Sequence, residues 1–308
     1  MASPLAEAEV VRVRASGKVN LTLRSGPRRP DGYHQLATLF QAVSMYDELD
    51  VRWAPPGQVS VSVTGEQAGL VPTGETNLAV RAARLLAQEY GAGGLGCTME
   101  LRKTIPVTGG MAGGSADAAA ALLACSVLWD LDVSPDDLLE LGARMGADVP
   151  FCLTGGTAMG TGRGDRLAPV LTRGTYHWAL ALSDGELSTP EVFGRFDELQ
   201  PSGNAELEVP PEVLNALISG DAAALGRCLH NDLQEAAVSL RPQLARVLEA
   251  GLELGALGAL VSGSGPTVAF LVPDERTGLD LSVGLTGEGL ARVVRRVHGP
   301  VPGARLIA

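Results

Sequence analysis

The chain has 308 residues, a formal net charge of −11, 45% hydrophobic residues and 19% charged residues. This length allows one large domain or two ordinary domains with a well-buried core. The negative charge argues against a nucleic-acid or acidic-membrane surface, and no apolar run approaches the ~20 residues that span a bilayer, so we expect no nucleic-acid partner and no membrane partner.

The start of the chain and the cysteines indicate the compartment. The first ten residues, MASPLAEAEV, have no basic region followed by an apolar one, so we do not expect a secretory signal. The four cysteines are widely spaced and show no metal-ligand pattern. We therefore expect free thiols in a reducing cytoplasm. A separate expectation, which the cysteines do not supply, is a monomer or a weak homodimer.

The first half of the chain predicts strands first and helices later. Alternating apolar residues predict the strands. Asn77 is typical of a helix cap, and Ser134 followed by Pro135 and two acids is typical of a helix start. The predicted strands are 10–14, 19–23, 33–43, 47–53, 59–63, 97–103, 151–153 and 156–160, and the predicted helices are 77–91, 115–130 and 134–146.

The second half predicts a buried strand, a group of helices and a further pair of strands. Strands and helices that mix without regular alternation favour an α+β fold over a doubly wound sheet. A shift in composition near 165–175 predicts two domains, 1–170 and 171–308. The predicted elements are a strand at 176–182, helices at 189–199, 211–218, 221–238 and 242–254, strands on both sides of a glycine turn at 262–265, a helix near 285–297 and a terminal strand.

A glycine-rich loop at 106–116 is the most informative stretch of the chain. Its four glycines let the backbone approach a ligand, and the helix that follows offers unpaired amides to an anion. No lysine stands between Gly114 and Ser115, which excludes a P-loop, and the glycine spacing excludes the dinucleotide and protein-kinase patterns. The loop therefore predicts another kind of phosphate cradle. The alternative is a turn that only joins a strand to a helix.

The use of lysine is also unusual. Of 24 basic residues only Lys18 and Lys103 are lysines. A compact ammonium on a flexible stem is not equivalent to a planar guanidinium, so these two positions are candidates for function. The alternative is that both lie by chance on solvated faces.

Three strings, in this order, resemble the motifs of the GHMP kinase superfamily. They are SGKVNL at 16–21, PVTGGMAGGS at 106–115 and SGSGP at 262–266. Two further strings, DGYH at 31–34 with LFQ at 39–41 and GADVPF at 146–151, resemble the members that act on a cytidine-diphospho sugar alcohol. The family loop is usually richer in glycine, whereas this chain has Thr108, Met111 and Ala112 there. We expect the phosphate cradle to persist.

The resemblance implies a fold and a reaction. The fold would be a two-domain GHMP kinase fold, with a ribosomal-protein-S5-like N-terminal domain and a ferredoxin-like C-terminal domain. The reaction would transfer the γ-phosphoryl group of ATP, with Mg²⁺, to a hydroxyl of the small-molecule substrate. The implied nucleotide-binding residues are Pro106, Val107, Thr108, Gly109, Gly110, Met111, Ala112, Gly113, Gly114, Ser115 and Ala116.

Two residues would be catalytic by the same resemblance. Asp148 would accept the hydroxyl proton, and Lys18 would stabilise negative charge on Asp148 and on the phosphoryl group. The alternative for Asp148 is an aspartate that stabilises a turn. Ser115 would bind Mg²⁺ or a phosphate, and its alternative role is a helix cap.

The remaining residues would bind the substrate. By resemblance these are Asn20, Tyr33, His34, Thr189 and Phe193, with the aromatic rings placed to stack on a base. The alternatives are an ordinary loop pair for Tyr33 and His34 and a core position for Phe193. The turn at 262–265 would approach the site or be a tight hairpin. A GHMP kinase for another alcohol, such as homoserine or a phosphomevalonate, and a non-catalytic nucleotide-binding relative are the competing functions.

Overall fold

Two β-sheets organise the chain. The computed structural model describes residues 10–91, 94–183, 185–204 and 207–308. The strands in the described residues are β1 (Val11–Arg28), β2 (His34–Trp53), β3 (Val59–Gly65), β4 (Cys97–Lys103), β5 (Thr157–Gly162), β6 (Arg166–Pro169), β7 (Tyr176–Leu182), β8 (His230–Asn231), β9 (Gly258–Val261), β10 (Val268–Val272), β11 (Val293–Gly299) and β12 (Arg305–Leu306). The α-helices are α1 (Leu78–Tyr90), α2 (Gly113–Leu128), α3 (Pro135–Met145), α4 (Val149–Thr154), α5 (Thr189–Leu199), α6 (Pro211–Ser219), α7 (Ala222–Cys228), α8 (Gln234–Leu240), α9 (Gln243–Glu253) and α10 (Glu275–Gly287).

The first sheet is built on the long strands β1 and β2. Its order is β12-β1-β2-β4-β3, with β5 also paired to β2 and to β6, and β8 paired to β1. The β3–β4 and β1–β8 pairs are parallel and the others are antiparallel. Because β8 and β12 come from the second half of the chain, that half adds two strands to this sheet. The division at residues 170 and 171 stays a prediction.

β1 places polar side chains on one face and apolar side chains on the other. Val19 and Leu21 belong to the main core, which they share with α2, and all of 15–23 is buried. Lys18 and Asn20 alternate with them and point to the opposite face. The β1–β2 register shifts between Ser16 and Gly17 and again just after Asn20. Bulges of this kind bend a strand and redirect its side chains, and here they flank both polar residues.

The second sheet has the antiparallel order β11-β7-β10-β9. One face of β7 packs in the main core with α6 and α7, and the other face packs against α5, α8, α9 and α10 in a second cluster. Trp178 of β7 donates a hydrogen bond from Nε1 to Oε1 of Gln41 in β2 at 3.0 Å, which ties the two sheets together. The expected α+β class is confirmed. Among the described residues no helix combines the length and the apolar character needed to span a bilayer.

Three predicted boundaries in the first half were wrong. The strands predicted at 10–14 and 19–23 belong to the single strand β1, and residues 33–43 and 47–53 form the single strand β2, because the two strands stay paired along their length. Residues 151–153 lie in helix α4 and not in a strand. Pro150 is in the first turn of α4, where its fixed φ suits a helix, and Gly155 ends the helix with a φ of 68°.

Two predicted helices in the second half were also wrong. The helix at 221–238 is interrupted because His230 and Asn231 pair with β1 as strand β8. The last helix is α10, which begins after Asp274 and ends at Gly287, and not 285–297. Gly289 turns the chain with a φ of 68°, and the residues that follow form β11 beside β7. In both places pairing with a distant strand overrides the local helical pattern.

Candidate active site

The glycine loop joins β4 to α2 through left-handed backbone. Thr108, Gly110 and Ala112 have φ values of 53°, 75° and 60°. Helix α2 begins at Gly113, and Ala112 at its N-cap position provides no side-chain cap. Ser115 therefore lies inside the first turn, and its alternative role as the cap was wrong. The first amides of α2 are left without a side-chain partner at the positive end of the helix.

The second glycine turn packs directly on this loop. The Ser262 hydroxyl donates a hydrogen bond to the Gly110 carbonyl at 3.2 Å. A Cβ atom on Gly110 would lie 1.9 Å from the Ser262 carbonyl oxygen, so no side chain fits at this position. The turn is both a tight hairpin between β9 and β10 and a wall of the glycine loop. The hairpin alternative therefore holds, and the predicted approach of residues 262–265 to the active site stays a prediction that this contact supports.

Lys18 lies under the junction of these two turns. Its Nζ donates hydrogen bonds to the Asn20 Oδ1 at 2.7 Å and to the Gly110 carbonyl at 3.0 Å. The residue is only 4% exposed. A Cβ on Gly263 would lie 3.2 Å from Nζ, so the second turn also closes over the ammonium. The alternative of a solvated lysine was wrong for Lys18.

Asn20 is itself held in one orientation. Its Nδ2 donates to the Thr38 hydroxyl at 2.8 Å, and that hydroxyl donates to the Thr22 carbonyl at 2.8 Å. The amide oxygen of Asn20 is therefore directed to Lys18. This chain of hydrogen bonds fixes the position of the ammonium, because each polar atom in it is buried and partnered.

Asp148 is the carboxylate nearest to Lys18. Its Oδ2 lies 4.0 Å from Nζ, and its side chain is 33% exposed. Asp148 precedes α4 but makes no side-chain capping bond there. The geometry does not support the alternative of a turn-stabilising aspartate. A partly exposed, uncapped carboxylate beside a buried ammonium is able to accept a proton from a bound hydroxyl.

Lys103 occupies a different environment below the loop. Its Nζ lies 2.5 Å from Asp47 Oδ2 and 2.8 Å from Asp117 Oδ2, and it is 2% exposed. Asp47 Oδ1 also accepts the backbone N–H groups of Thr104 and Ile105, at 2.6 and 3.0 Å. Lys103 is therefore not on a solvated face. We name this ion cluster, Asp47, Lys103 and Asp117, the loop-base triad.

The loop-base triad has two carboxylates and one ammonium. Burial raises the pKa of Asp117 to about 8; Lys103 opposes this rise and Asp47 adds to it. Burial alone would lower the pKa of Lys103, but Asp117 and Asp47 more than offset this, so the pKa is raised. The triad joins β2, the end of β4 and the first turns of α2, and so supports both ends of the glycine loop.

A second group of predicted residues lies at the turn between β1 and β2. Tyr33 is 56% exposed, and the Arg163 guanidinium lies 5.4 Å from its ring centroid. The His34 ring stacks on Phe193 with centroids 4.7 Å apart and an interplanar angle of 24°. The structure thus pairs His34 with Phe193 and leaves Tyr33 on the outside.

Helix α5 links the two groups. The Thr189 hydroxyl, at its start, lies 2.9 Å from the Ser264 hydroxyl in the second glycine turn. Phe193 is four residues later, about one helical turn away on the same face. The structure therefore brings Lys18, Asn20, Asp148 and the glycine loop together, and places Thr189 between them and the aromatic group.

Some residues that shape this region were not singled out from the sequence. Asn231 donates from Nδ2 to the carbonyls of Val261 and Gly263, both at 2.7 Å, and so holds the second glycine turn. Asp197 accepts a hydrogen bond from His34. Both were read as parts of helices, and only the interruption of the helical pattern at 229–233 could have indicated Asn231. Among the described residues no group of three His, Cys, Asp or Glu forms a metal site.

Comparisons with known proteins identify the family of the chain. The family models for the N-terminal and C-terminal domains of GHMP kinases match residues 77–156 and 213–282. A 4-diphosphocytidyl-2-C-methyl-D-erythritol kinase of Nocardia farcinica is 53% identical over 96% of this chain and 96% of its own length. One of Cutibacterium acnes is 50% identical over 96% of this chain and 97% of its own length.

Solved structures extend the comparison to the fold. A crystal structure of 4-(cytidine 5'-diphospho)-2C-methyl-D-erythritol kinase has a TM-score of 0.75 at 32% identity, covering 94% of this chain and 99% of that one. A homoserine kinase from Cytophaga hutchinsonii has a TM-score of 0.76 at 19% identity, covering 100% of this chain and 99% of that one, and shares the fold alone. The expected two-domain GHMP kinase fold is confirmed. The chain is a GHMP kinase and belongs to the family of 4-diphosphocytidyl-2-C-methyl-D-erythritol kinases.

Proposed function

We propose that the chain transfers the γ-phosphoryl group of ATP to the 2-hydroxyl of 4-diphosphocytidyl-2-C-methyl-D-erythritol, hereafter the cytidyl substrate, in the non-mevalonate route to isoprenoid precursors. The observation that most supports this reaction is the buried Lys18, 4.0 Å from Asp148 and hydrogen-bonded to the Gly110 carbonyl. The family of the chain supports the choice of substrate.

Residues 106–116 would hold the phosphates of ATP through backbone amides. The uncapped start of α2 fits this role, because its amides and the helix dipole favour an anion. Mg²⁺ prefers oxygen ligands, and the Ser115 hydroxyl in the first turn of α2 is an oxygen donor of this kind. The metal would neutralise charge on the phosphates when it is bound.

Asp148 would accept the proton of the substrate hydroxyl as that oxygen attacks the γ-phosphorus. The bond from the γ-phosphorus to the bridging oxygen then breaks and ADP leaves. Lys18 would stabilise the negative charge of the transferring group, and its place is fixed by Asn20. Since phosphoryl transfer depends mainly on positioning and charge stabilisation, a pre-ordered ammonium is well suited to it.

The aromatic group would bind the cytosine end of the substrate. Tyr33 has the most exposed ring of this group and is steadied by Arg163. His34 and Phe193 already stack on each other, so the base would lie against this pair and not between its members. Asn20 and Thr189 would contact the part of the substrate nearer to the glycine loop.

The competing kinase functions can be separated by one assay. ADP release is measured with the cytidyl substrate, homoserine and a phosphomevalonate as acceptors, and the product is identified by phosphorus NMR. We expect turnover of the cytidyl substrate alone. Turnover of homoserine without the cytidyl substrate would contradict the proposal, and binding of ATP without any turnover would favour a non-catalytic relative.

We further propose that the protein is a cytoplasmic monomer or weak homodimer. All four cysteines are free thiols, and the Sγ atoms of Cys97 and Cys125 are 3.8 Å apart without a bond, as a reducing compartment would favour. Sedimentation at several protein concentrations tests the oligomeric state.

A further inference from the structure

His34 is held by three contacts at once. The residue is 7% exposed, and its Nε2 lies 2.7 Å from Asp197 Oδ1. Phe193 stacks on its face, and Phe196 meets its ring edge-on with centroids 6.1 Å apart at 75°. The stacked ring fixes the plane of the imidazole, and the carboxylate fixes its rotation in that plane.

The carboxylate of Asp197 also decides which ring nitrogen carries hydrogen. An ionised carboxylate only accepts hydrogen bonds, so Nε2 of His34 must be the protonated nitrogen. Among the described residues, Nδ1 of His34 has no hydrogen-bond partner. In the tautomer with hydrogen on Nε2 alone, the single group left free is the acceptor Nδ1.

The position of Asp197 connects two elements that the proposed function assigns to the substrate. Asp197 lies on α5, the helix that begins at Thr189 beside the second glycine turn. His34 begins β2, directly after Tyr33 at the turn from β1. The Asp197–His34 contact is therefore a bridge across the end of the site that would receive the base. With a side chain 28% exposed, Asp197 is close to solvent but partly shielded.

We propose that Asp197 is a positioning residue for base recognition. It keeps the hydrogen of His34 on Nε2 and thereby presents Nδ1 as an acceptor to the exocyclic amino group of a cytosine-type base. Uracil carries a carbonyl at the same place, and two acceptors facing each other leave a polar group unpaired. The Asp197–His34 pair therefore selects cytidine over uridine diphospho-alcohols. This inference rests on the proposed function for the identity of the substrate.

Asp197→Asn is the sharpest variant, because it keeps the shape of the side chain but allows either His34 tautomer. Its matched control is Glu198→Gln on the same helix, where the carboxylate is 67% exposed and pairs with Arg195 at 2.7 Å. Asp197→Glu restores the charge and should recover part of any loss. Thermal unfolding of each variant checks that the fold is retained.

Two measurements are made on these proteins. Long-range proton–nitrogen NMR reports which nitrogen of His34 carries hydrogen, and steady-state kinetics give KM for ATP, for the cytidyl substrate and for its uridyl counterpart. In the wild type we expect hydrogen on Nε2 and a lower KM for the cytidyl substrate than for the uridyl one. Asp197→Asn should raise KM for the cytidyl substrate about tenfold, the effect of one hydrogen bond, narrow the cytidyl preference and leave KM for ATP unchanged.

Several outcomes overturn the inference. The first is hydrogen on Nδ1 in the wild type. The second is an equal change in KM for ATP and for the cytidyl substrate in Asp197→Asn. The third is that Glu198→Gln changes KM for the cytidyl substrate as much as Asp197→Asn does. If the wild type does not turn over the cytidyl substrate, the proposed function fails instead. The NMR tautomer and calorimetric binding of cytidine and uridine diphosphates to the same variants then decide the inference separately.

Discussion

The two lysines of this chain lie beside the same glycine loop but in opposite electrostatic settings. Lys18 donates to two neutral oxygens and has its nearest carboxylate, Asp148, at 4.0 Å. Lys103 lies between Asp47 and Asp117 at 2.5 and 2.8 Å. Both ammonium groups are almost fully buried. Burial of a lysine therefore does not by itself indicate its role.

The difference lies in whether the charge is already neutralised. The charge of Lys103 is balanced at contact distance by carboxylates that the fold itself needs, so this lysine is structural. The charge of Lys18 faces a partly exposed carboxylate and leaves the ammonium able to interact with a phosphoryl group. The comparison predicts that the two lysines fail in different ways when they are replaced.

Asp148→Asn tests the pair of Lys18 and Asp148, and of all the variants it should have the largest effect on turnover. The amide cannot accept the substrate proton, so we expect turnover to fall by ~10²–10⁴ while ATP affinity stays near the wild-type value. Steady-state kinetics and a nucleotide titration measure the two quantities. Asp50→Asn, at an exposed ion pair with Arg12, is the control. Turnover near that of the wild type would remove Asp148 from the mechanism.

Lys103→Met and Lys18→Met compare the two sites directly. Removal of Lys103 leaves the buried carboxyl groups of Asp47 and Asp117 without a cation, which should lower the free energy of unfolding by about 3–5 kcal/mol. Removal of Lys18 leaves Asp148 in contact with solvent, so stability should fall less and turnover should fall more. Urea unfolding and turnover of both variants provide the test. Equal losses of stability would break the distinction between the two lysines.

The pH dependence of stability sharpens the role of the loop-base triad. The folded pKa of Asp117 is raised to about 8, above the ordinary value, so its favourable contribution is present at low pH and is lost as pH rises through 8. Asp117→Asn does not titrate, and its free energy of unfolding should therefore rise relative to the wild type from about pH 4 to pH 8 and then level off. Urea unfolding across this range measures the difference.

Asp274→Asn is the matched control for this pH series. The Thr277 N–H lowers the pKa of Asp274. The difference in free energy of unfolding between Asp274→Asn and the wild type should therefore stay constant above about pH 5. A flat difference for Asp117→Asn as well would show that Asp117 is ionised in the folded protein throughout this range.

Ala112→Gly should have the smallest effect, and that effect should be a gain in stability. Ala112 has a left-handed backbone, which is unfavourable for a residue with a Cβ, so glycine should stabilise the protein by about 1 kcal/mol. Ala118→Gly, inside α2, should instead destabilise it by about 1 kcal/mol or more. Thermal unfolding of both variants gives the comparison. A loss of stability in Ala112→Gly would mean that the loop does not store strain there.

Much of the fold could be predicted from local patterns. The caps at Asn77 and Ser134, the alternation in β3 and the buried apolar run of β7 gave the correct elements, because these signals act within a few residues. The failures at 221–238 and 285–297 share one cause, because each depends on pairing with a distant strand, which a local pattern does not contain. At 151–153 the prediction missed local helix signals, Pro150 and Gly155.

In the candidate site, too, local sequence patterns predicted some features and only the tertiary structure decided others. The strings around Lys18, in the glycine loop and at 262–266 identified the superfamily from the sequence alone, because they specify residue types in a fixed order, and the string around Asp148 narrowed the match. The alternatives left open for Ser115, Lys103 and Asp148 could be decided only by geometry. The sequence does not state where α2 begins, what neutralises Lys103 or whether Asp148 is used as a cap.

The sequence by itself determined the class of the protein, and it predicted the reacting groups and the residues of a phosphate loop. The tertiary structure decided how those groups are used. Lys18 and Gly110 are 92 positions apart and Ser262 is 152 positions beyond Gly110, yet the three meet within hydrogen-bond distance. Contacts across such separations depend on the packing of two sheets and their helices, and this packing assigned one lysine to the site and the other to the support of the loop.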